Sequence, residues 1–350
     1  MHDVMLNGLA FCGESYTPRN VLITIEDGII KSIEDIKSEI THWITPAFFN
    51  AHTHIGDTVA MDTPIANKSL KELVAPPNGL KHQILRSTPD NVLVDGMRDT
   101  MKFMYDTGTI AFADFREGGV HGFNLISNAK IPEVYPLIFG RDGGESLSIG
   151  YGVSSANNQC LNLNEIESAR KNGKLIAVHA GESDTLDIES AFALDPDIII
   201  HATHFTDKNI REAADRNIHI VLCPRSNWIL GCTNNSSKPP VKKMIDAGCT
   251  LWLGTDNAMF VSPNMLLECA FMSNIYKINP ERIMSMATNG FSLLTHNSNC
   301  GIIEEGQPAN LLYLNPGYVG KWTKNPLLSF ITRMDAKSIQ KVYGYYKNRL

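Results

Sequence analysis

No pair of cysteines in this chain is spaced C-x-x-C, and the seven present (Cys12, Cys160, Cys223, Cys232, Cys249, Cys269 and Cys300) are scattered and odd in number. Such a set is poor material for a disulfide framework or a thiolate zinc site, so the thiols are expected to be buried or free in a reducing cytoplasm. No run approaches the ~20 apolar residues that a membrane helix needs, and the N-terminus lacks a basic-then-apolar leader pattern. Positive charge is not in excess: 31 Lys and Arg stand against 37 Asp and Glu, a net charge of -6. That balance argues against a nucleic-acid-binding surface. Internal repeats and low-complexity tracts are also missing. What remains is ordinary globular material, 43% apolar and 19% charged over 350 residues. It is enough for two average domains or one large α/β barrel with an appendage.

The first segment reads as β-rich, with short strands over 4–11, 21–26 and 29–36 and turn signals at Asn7-Gly8 and Asp27-Gly28. From Pro46 the texture changes. Apolar runs over 110–115, 133–140, 150–154, 175–179, 197–201, 219–223 and 250–254 alternate with amphipathic stretches such as 91–107, 164–172, 207–216 and 241–247. With the run ahead of His52 this makes eight strands alternating with helices, the pattern of a (β/α)8 TIM-type barrel. After about residue 295 strand texture returns over 310–314 and 339–346. The two chain ends, 1–45 and 301–350, are expected to meet in one small β domain beside a barrel over 46–300. Two stretches, 61–89 and 232–240, have no periodicity and read as long loops, the kind that often serve as substrate lids.

The ends of the apolar runs carry chemistry. Ala51-His52-Thr53-His54 follows the first, Val178-His179-Ala180-Gly181-Glu182 the fifth, His201 the sixth, and Leu253-Gly254-Thr255-Asp256 the last. Residues i and i+2 of a strand point to one side, so His52 and His54 can offer two imidazoles to one metal. A lone histidine at a strand end is more often a hydrogen-bonded structural residue, and a lone Asp256 a helix cap. Five such groups at the C-terminal ends of barrel strands, where these barrels keep their reacting groups, reverse that weighting. His179 and Asp256 would converge with the first pair, and zinc or iron with three or four protein ligands keeps a position for water. Asp256 could then collect a proton from that water, leaving Glu182 to protonate a substrate nitrogen. His201 and His204 compete for one further role; His201, directly ending its Ile run, is preferred. His2, His42, His82, His121, His219 and His296 have no comparable context.

These residues carry a family resemblance over nearly the whole chain. The chain resembles the amidohydrolase superfamily, in its cytosine, guanine and S-adenosylhomocysteine deaminase (chlorohydrolase-like) branch. The likeness runs from Thr45-Pro46-Ala47-Phe48-Phe49-Asn50-Ala51-His52-Thr53-His54 through His179-Ala180-Gly181-Glu182, His201-Ala202-Thr203-His204 and Cys223-Pro224-Arg225-Ser226-Asn227. It continues in Leu253-Gly254-Thr255-Asp256-Asn257 and closes at Gly301-Ile302-Ile303-Glu304-Glu305-Gly306-Gln307-Pro308-Ala309-Asn310-Leu311. The resemblance implies that His52, His54, His179 and Asp256 bind one divalent metal, zinc foremost and iron as the alternative. It further implies that Glu182 shuttles protons and His201 polarises the attacking water. Binuclear relatives bridge two metals with a carboxylated lysine on the fourth strand; no lysine lies between Ile131 and Asn164 here. The methylthioadenosine and S-adenosylhomocysteine deaminases usually carry a tryptophan in the loop after the first motif, and 57–89 has none.

The function expected is hydrolytic deamination of a cyclic amidine, such as a nucleobase, pteridine or nucleoside derivative, by an enzyme with a small heterocyclic substrate and no nucleic-acid or membrane partner. The alternatives are hydrolysis of a cyclic amide or of a carbon–halogen bond on a triazine-like ring, and a barrel retired to binding. Arg116, Arg141 and Arg225 each follow a strand, so they are expected to rim the mouth and could clamp an anionic substituent. The plainer expectation for Arg225 is a pair with Asp114 or Glu117.

Overall fold

The computed structural model describes residues 4–37, 40–64, 68–157, 161–295 and 301–345. Three antiparallel strands open the chain, β1 (Val4–Cys12), β2 (Thr17–Glu26) and β3 (Ile29–Asp35), and β4 (Trp43–Pro46) lies parallel to β1. The turn between β2 and β3 has φ of 49° at Asp27 and 79° at Gly28, the left-handed pair that a tight Asp-Gly hairpin requires. Asn7-Gly8 is not a turn. Gly8 sits in the middle of β1 opposite Val21, and an added Cβ would stand 2.9 Å from Ile44 Cγ1 and 3.0 Å from the His42 carbonyl. Its glycine serves the close approach of the chain entering β4, while the reversal comes later, between Gly13 and Tyr16.

Eight parallel runs follow. They are β5 (Phe48–His54), β6 (Thr109–Arg116), β7 (Tyr135–Gly140), β8 (Gly150–Val153), β9 (Leu175–Ala180), β10 (Ile198–His201), β11 (His219–Leu222) and β12 (Leu251–Leu253), each bonded to the next. The last run resumes past Gly254-Thr255 as β13 (Asp256–Asn257), which pairs with β5 through Asp256 opposite Thr53. The two edges of the sheet therefore meet, and the architecture is a TIM-type barrel. The strands read as near-continuous apolar runs because helices such as Asp90–Asp106, Leu163–Lys171 and Asp207–Asp215 alternate with them, as in parallel sheets covered on both faces. Phe48, Phe49, Phe112 and Phe115 are fully buried within β5 and β6, each contributing about 1.5–3 kcal/mol by leaving water.

Strands β14 (Leu311–Leu314) and β15 (Ile339–Tyr343) bring the chain back to the first sheet, whose order is β15-β14-β4-β1-β2-β3. Two helices between them, Gly317–Trp322 and Pro326–Arg333, add a feature that the strand texture did not announce. Phe330 on the second helix stacks on Phe48 and leans on Phe11, each at 6.0 Å, and so ties sheet and barrel together. The expected loop 61–89 contains two short helices, Leu70–Val74, opened by a Ser69–Glu72 capping box, and Leu80–Ser87. Among the described residues no helix is long and apolar enough to cross a membrane, and Cys12, Cys223, Cys232, Cys249 and Cys269 are free thiols. Cys160, Cys300, His2, His296 and Tyr346 lie outside the described residues.

Candidate active site

Strand β5 delivers His52 and His54 to one end of the barrel, β9 delivers His179, β10 His201 and β13 Asp256. His52 is the hub. Its Nε2 lies 3.1 Å from Asp256 Oδ1 and 3.2 Å from His179 Nε2, and His54 Nε2 lies 3.7 Å from the same Asp256 oxygen. Side-chain donor atoms of His52, His54 and Asp256 stand within 4.8 Å of one another; so do those of His52, His179 and His201, and those of Glu182, His201 and Asp256. All of these residues are buried except Glu182, which is half-buried in the wall of a cavity of about 790 Å³.

The surroundings fix how each group points. His179 Nδ1 donates to the Val153 carbonyl at 2.8 Å; a carbonyl only accepts, so the hydrogen is on Nδ1 and the Nε2 lone pair faces His52. Ser226 donates to Asp256 Oδ2 at 2.5 Å, which leaves Oδ1 to the histidines. Asn50 brackets the last run from β5, accepting from the Thr255 amide and donating to the Thr255 hydroxyl. Gly254 allows that run to lie against β5, because a Cβ there would stand 2.7 Å from His52 Cβ and 2.8 Å from its nitrogen. His201 and Asp256 themselves have φ of 77° and 64°, strained values for non-glycine residues that cluster at functional sites.

Burial pushes the His52 and His179 imidazoles below their ordinary range and His54 down to about 3, so all three are neutral, the state in which imidazole binds metal. Burial also pushes the Glu182 carboxyl up. At Asp256 burial is the largest single influence and pushes the same way, but the hydrogen bond from His52 together with the nearby His52, His201 and His54 rings outweighs it and holds the group well below the usual carboxylate range. Neutral nitrogens and a carboxylate oxygen thus crowd one buried spot, a donor set that suits a divalent cation.

His204 is turned elsewhere. It donates to the Cys232 carbonyl and accepts from Lys238, both at 3.0 Å, so of the two competing histidines only His201 belongs to the cluster. The three arginines part company. Arg116 is buried, 2.7 Å from Glu117 and 3.4 Å from Asp114. Arg225 pairs with Glu268, not with Asp114 or Glu117, and also donates to the Ser262 and Asn264 carbonyls. Each of these two guanidiniums is thus held by carboxylates of the protein itself, Arg116 by Asp114 and Glu117 and Arg225 by Glu268. Arg141 lines the cavity of the cluster and an adjoining one of about 570 Å³, with one nitrogen 3.2 Å from Glu117. Sequence reasoning missed Lys81, Asp57 and Ser226. The first comes from the aperiodic segment, the second from the turn just past the first motif, and the third carries no signal beyond its place after Cys223-Pro224-Arg225. Glu117, adjacent to Arg116, entered only as a partner for an arginine.

A putative aminohydrolase of Methanothermobacter thermautotrophicus is 32% identical, over 99% of this chain and 98% of its own length. A 5-methylthioadenosine/S-adenosylhomocysteine deaminase of Pyrococcus furiosus is 23% identical, over 89% of this chain and 86% of its own. Among solved structures, a zinc-complexed atrazine chlorohydrolase from Arthrobacter aurescens has the same fold at a TM-score of 0.80 and 14% identity, covering 98% of this chain and 94% of that one. Residues 159–343 match the amidohydrolase family. With that match and a full-length relative, the chain belongs to the amidohydrolase family and is a hydrolase acting on carbon–nitrogen bonds.

Proposed function

We propose that His52, His54, His179 and Asp256 hold one divalent cation, zinc foremost and iron as the alternative, and that the enzyme hydrolytically deaminates a cyclic amidine: a nucleobase, a pteridine or a nucleoside derivative. A cation held by such ligands acts as a Lewis acid toward water at neutral pH. The observation that carries the reading is the placement of two carboxyl groups of opposite tendency beside the histidine cluster, Asp256 within it and Glu182 at its rim, joined through His201, whose Nε2 is 3.7 Å from Glu182 Oε2. Two such groups divide naturally into base and acid. Asp256, ionised and anchored by Ser226, takes a proton from the attacking water. Glu182, which burial favours in its protonated form, donates to the ring nitrogen next to the attacked carbon. His201 orients the water between them. The exocyclic nitrogen receives the collected proton and leaves as ammonia, the proton remaining on the added oxygen returns to Glu182 as the carbonyl forms, and the amidine becomes an amide. Arg141 is the arginine placed to meet an anionic substituent on the substrate. The free thiols fit a reducing cytoplasm.

Metal content and ammonia release over a panel of aminated purines, pteridines and pyrimidines test this reading. About one zinc or iron per chain and ammonia from at least one heterocycle are expected. Two metals per chain, or none after supplementation, overturns the single-metal site, and ring opening of a cyclic amide without ammonia overturns deamination.

A further inference from the structure

Behind His54 lies an ionic cluster that the reaction outlined above does not use. Lys81, on the helix Leu80–Ser87, is buried, with Nζ 2.6 Å from Glu117 Oε1 and 2.8 Å from Asp57 Oδ2. The same Glu117 oxygen is 3.1 Å from His54 Nδ1 and 3.2 Å from an Arg141 nitrogen, while Arg116 takes the other oxygen and approaches Asp114. Three cations thus face three carboxylates in a largely buried space. Withdrawing a lysine ammonium from water is costly, and a buried pair of this kind is no bargain for stability alone. What the arrangement does secure is an orientation. A carboxylate only accepts, so Glu117 Oε1 at 3.1 Å favours electrostatically the His54 tautomer with hydrogen on Nδ1, although the two atoms are not aligned as a hydrogen bond in this structure. That tautomer leaves the Nε2 lone pair on the side of Asp256.

We propose that Lys81 is a positioning residue for the metal site: by holding Glu117 it fixes the ring and tautomer of His54, and it thereby joins the seating of the helix Leu80–Ser87 to the affinity of the site for its cation. The inference rests on the metal-binding reading above. The lysine belongs to a helix outside the barrel strands, whereas Glu117 follows β6 and Asp57 lies in the turn Ile55–Ala60 after β5. A helix that comes away takes with it a cation that holds Glu117 against His54.

The test is zinc affinity of the apo-protein by chelator competition, with circular dichroism as the check of folding. Lys81→Met should weaken zinc binding by about 10- to 100-fold, the usual effect of removing a partner behind a ligand. The double variant Lys81→Met/Asp57→Asn removes one charge of each sign, and is the one to read if the single variant does not fold. It should remain as weak; recovery of parental affinity would show that Lys81 merely neutralises buried charge, and would overturn the proposal. Glu117→Gln should weaken zinc binding to a similar extent, and its combination with Lys81→Met should add little, because both act through one contact. Fully additive losses, or parental affinity in Lys81→Met, also overturn it. A parent protein that binds no zinc or iron refutes the metal reading instead, which keeps the two failures apart.

Discussion

The substitution Glu182→Gln separates chemistry from architecture in this site. The carboxyl group has few ties to the fold: His201 Nε2 at 3.7 Å, and the Cys232 thiol donating to Oε1 at 3.9 Å. Contacts of that length carry little stability, and an amide of the same shape also removes a charge-bearing group that burial disfavours. The change in folding free energy should therefore stay within about 1 kcal/mol. Catalysis should suffer far more, since an amide cannot give a proton to the ring nitrogen. Loss of a general acid costs about 10²- to 10⁴-fold, which at ~1.36 kcal/mol per decade is about 2.7–5.4 kcal/mol of barrier. The loss should appear in kcat as well as kcat/KM, because the interaction is made only as the reaction proceeds. The assay is ammonia release under saturating substrate, with metal content and thermal melting measured on the same preparation. A variant that keeps its metal and melts like the parent yet turns over within about tenfold of it would refute the role given to Glu182. A variant that loses its metal would show that Glu182 belongs to the ligand set.

His52→Ala should lose both metal and activity, since His52 is shared by two of the three donor groups, and elemental analysis of the purified variant checks this. Arg141→Ala should raise KM about tenfold or more for a substrate with an anionic substituent and leave neutral analogues unchanged; an equal effect on both would sink the clamp. Arg225→Ala should instead cost about 3–5 kcal/mol of stability, because it strands the fully buried Glu268 carboxylate, and thermal melting reads it directly. Gly254→Ala should lower the melting temperature through a cost of about 1–3 kcal/mol, because its Cβ would press on His52; unchanged melting would refute the tight approach of the last run to β5.

The barrel was legible because each strand is short, apolar and bounded, and because parallel strands packed on both faces need no polar alternation to announce them. The site was legible for the same reason: His54 and His201 end their runs, while His179 stands one residue before the end of its own, so finding the strand finds the candidate. Lys81 escaped because its helix is eight residues long and follows Pro76-Pro77; no period of that length stands out, and the helix is held in part by the ion pairs that Lys81 makes inside the barrel mouth. Asn7-Gly8 misled because a glycine that makes room for a neighbouring chain and a glycine that turns look alike in sequence. Arg116, Arg141 and Arg225 were equivalent by position, each one step past a strand or its flank. What divides them is which carboxylates the fold brings within reach, Asp114 and Glu117 for the first and Glu268 for the last, and Glu268 lies 43 residues beyond Arg225 on another helix. The backbone at Asp256 was hidden in the same way. Its φ of 64° lies where the last run breaks at Gly254-Thr255 to cross onto β5, and that break sets the carboxylate against His52. A strand that continued straight would keep the barrel edge but carry Asp256 past the histidines, so the strain in this residue follows from closing the barrel and building the site with the same few atoms.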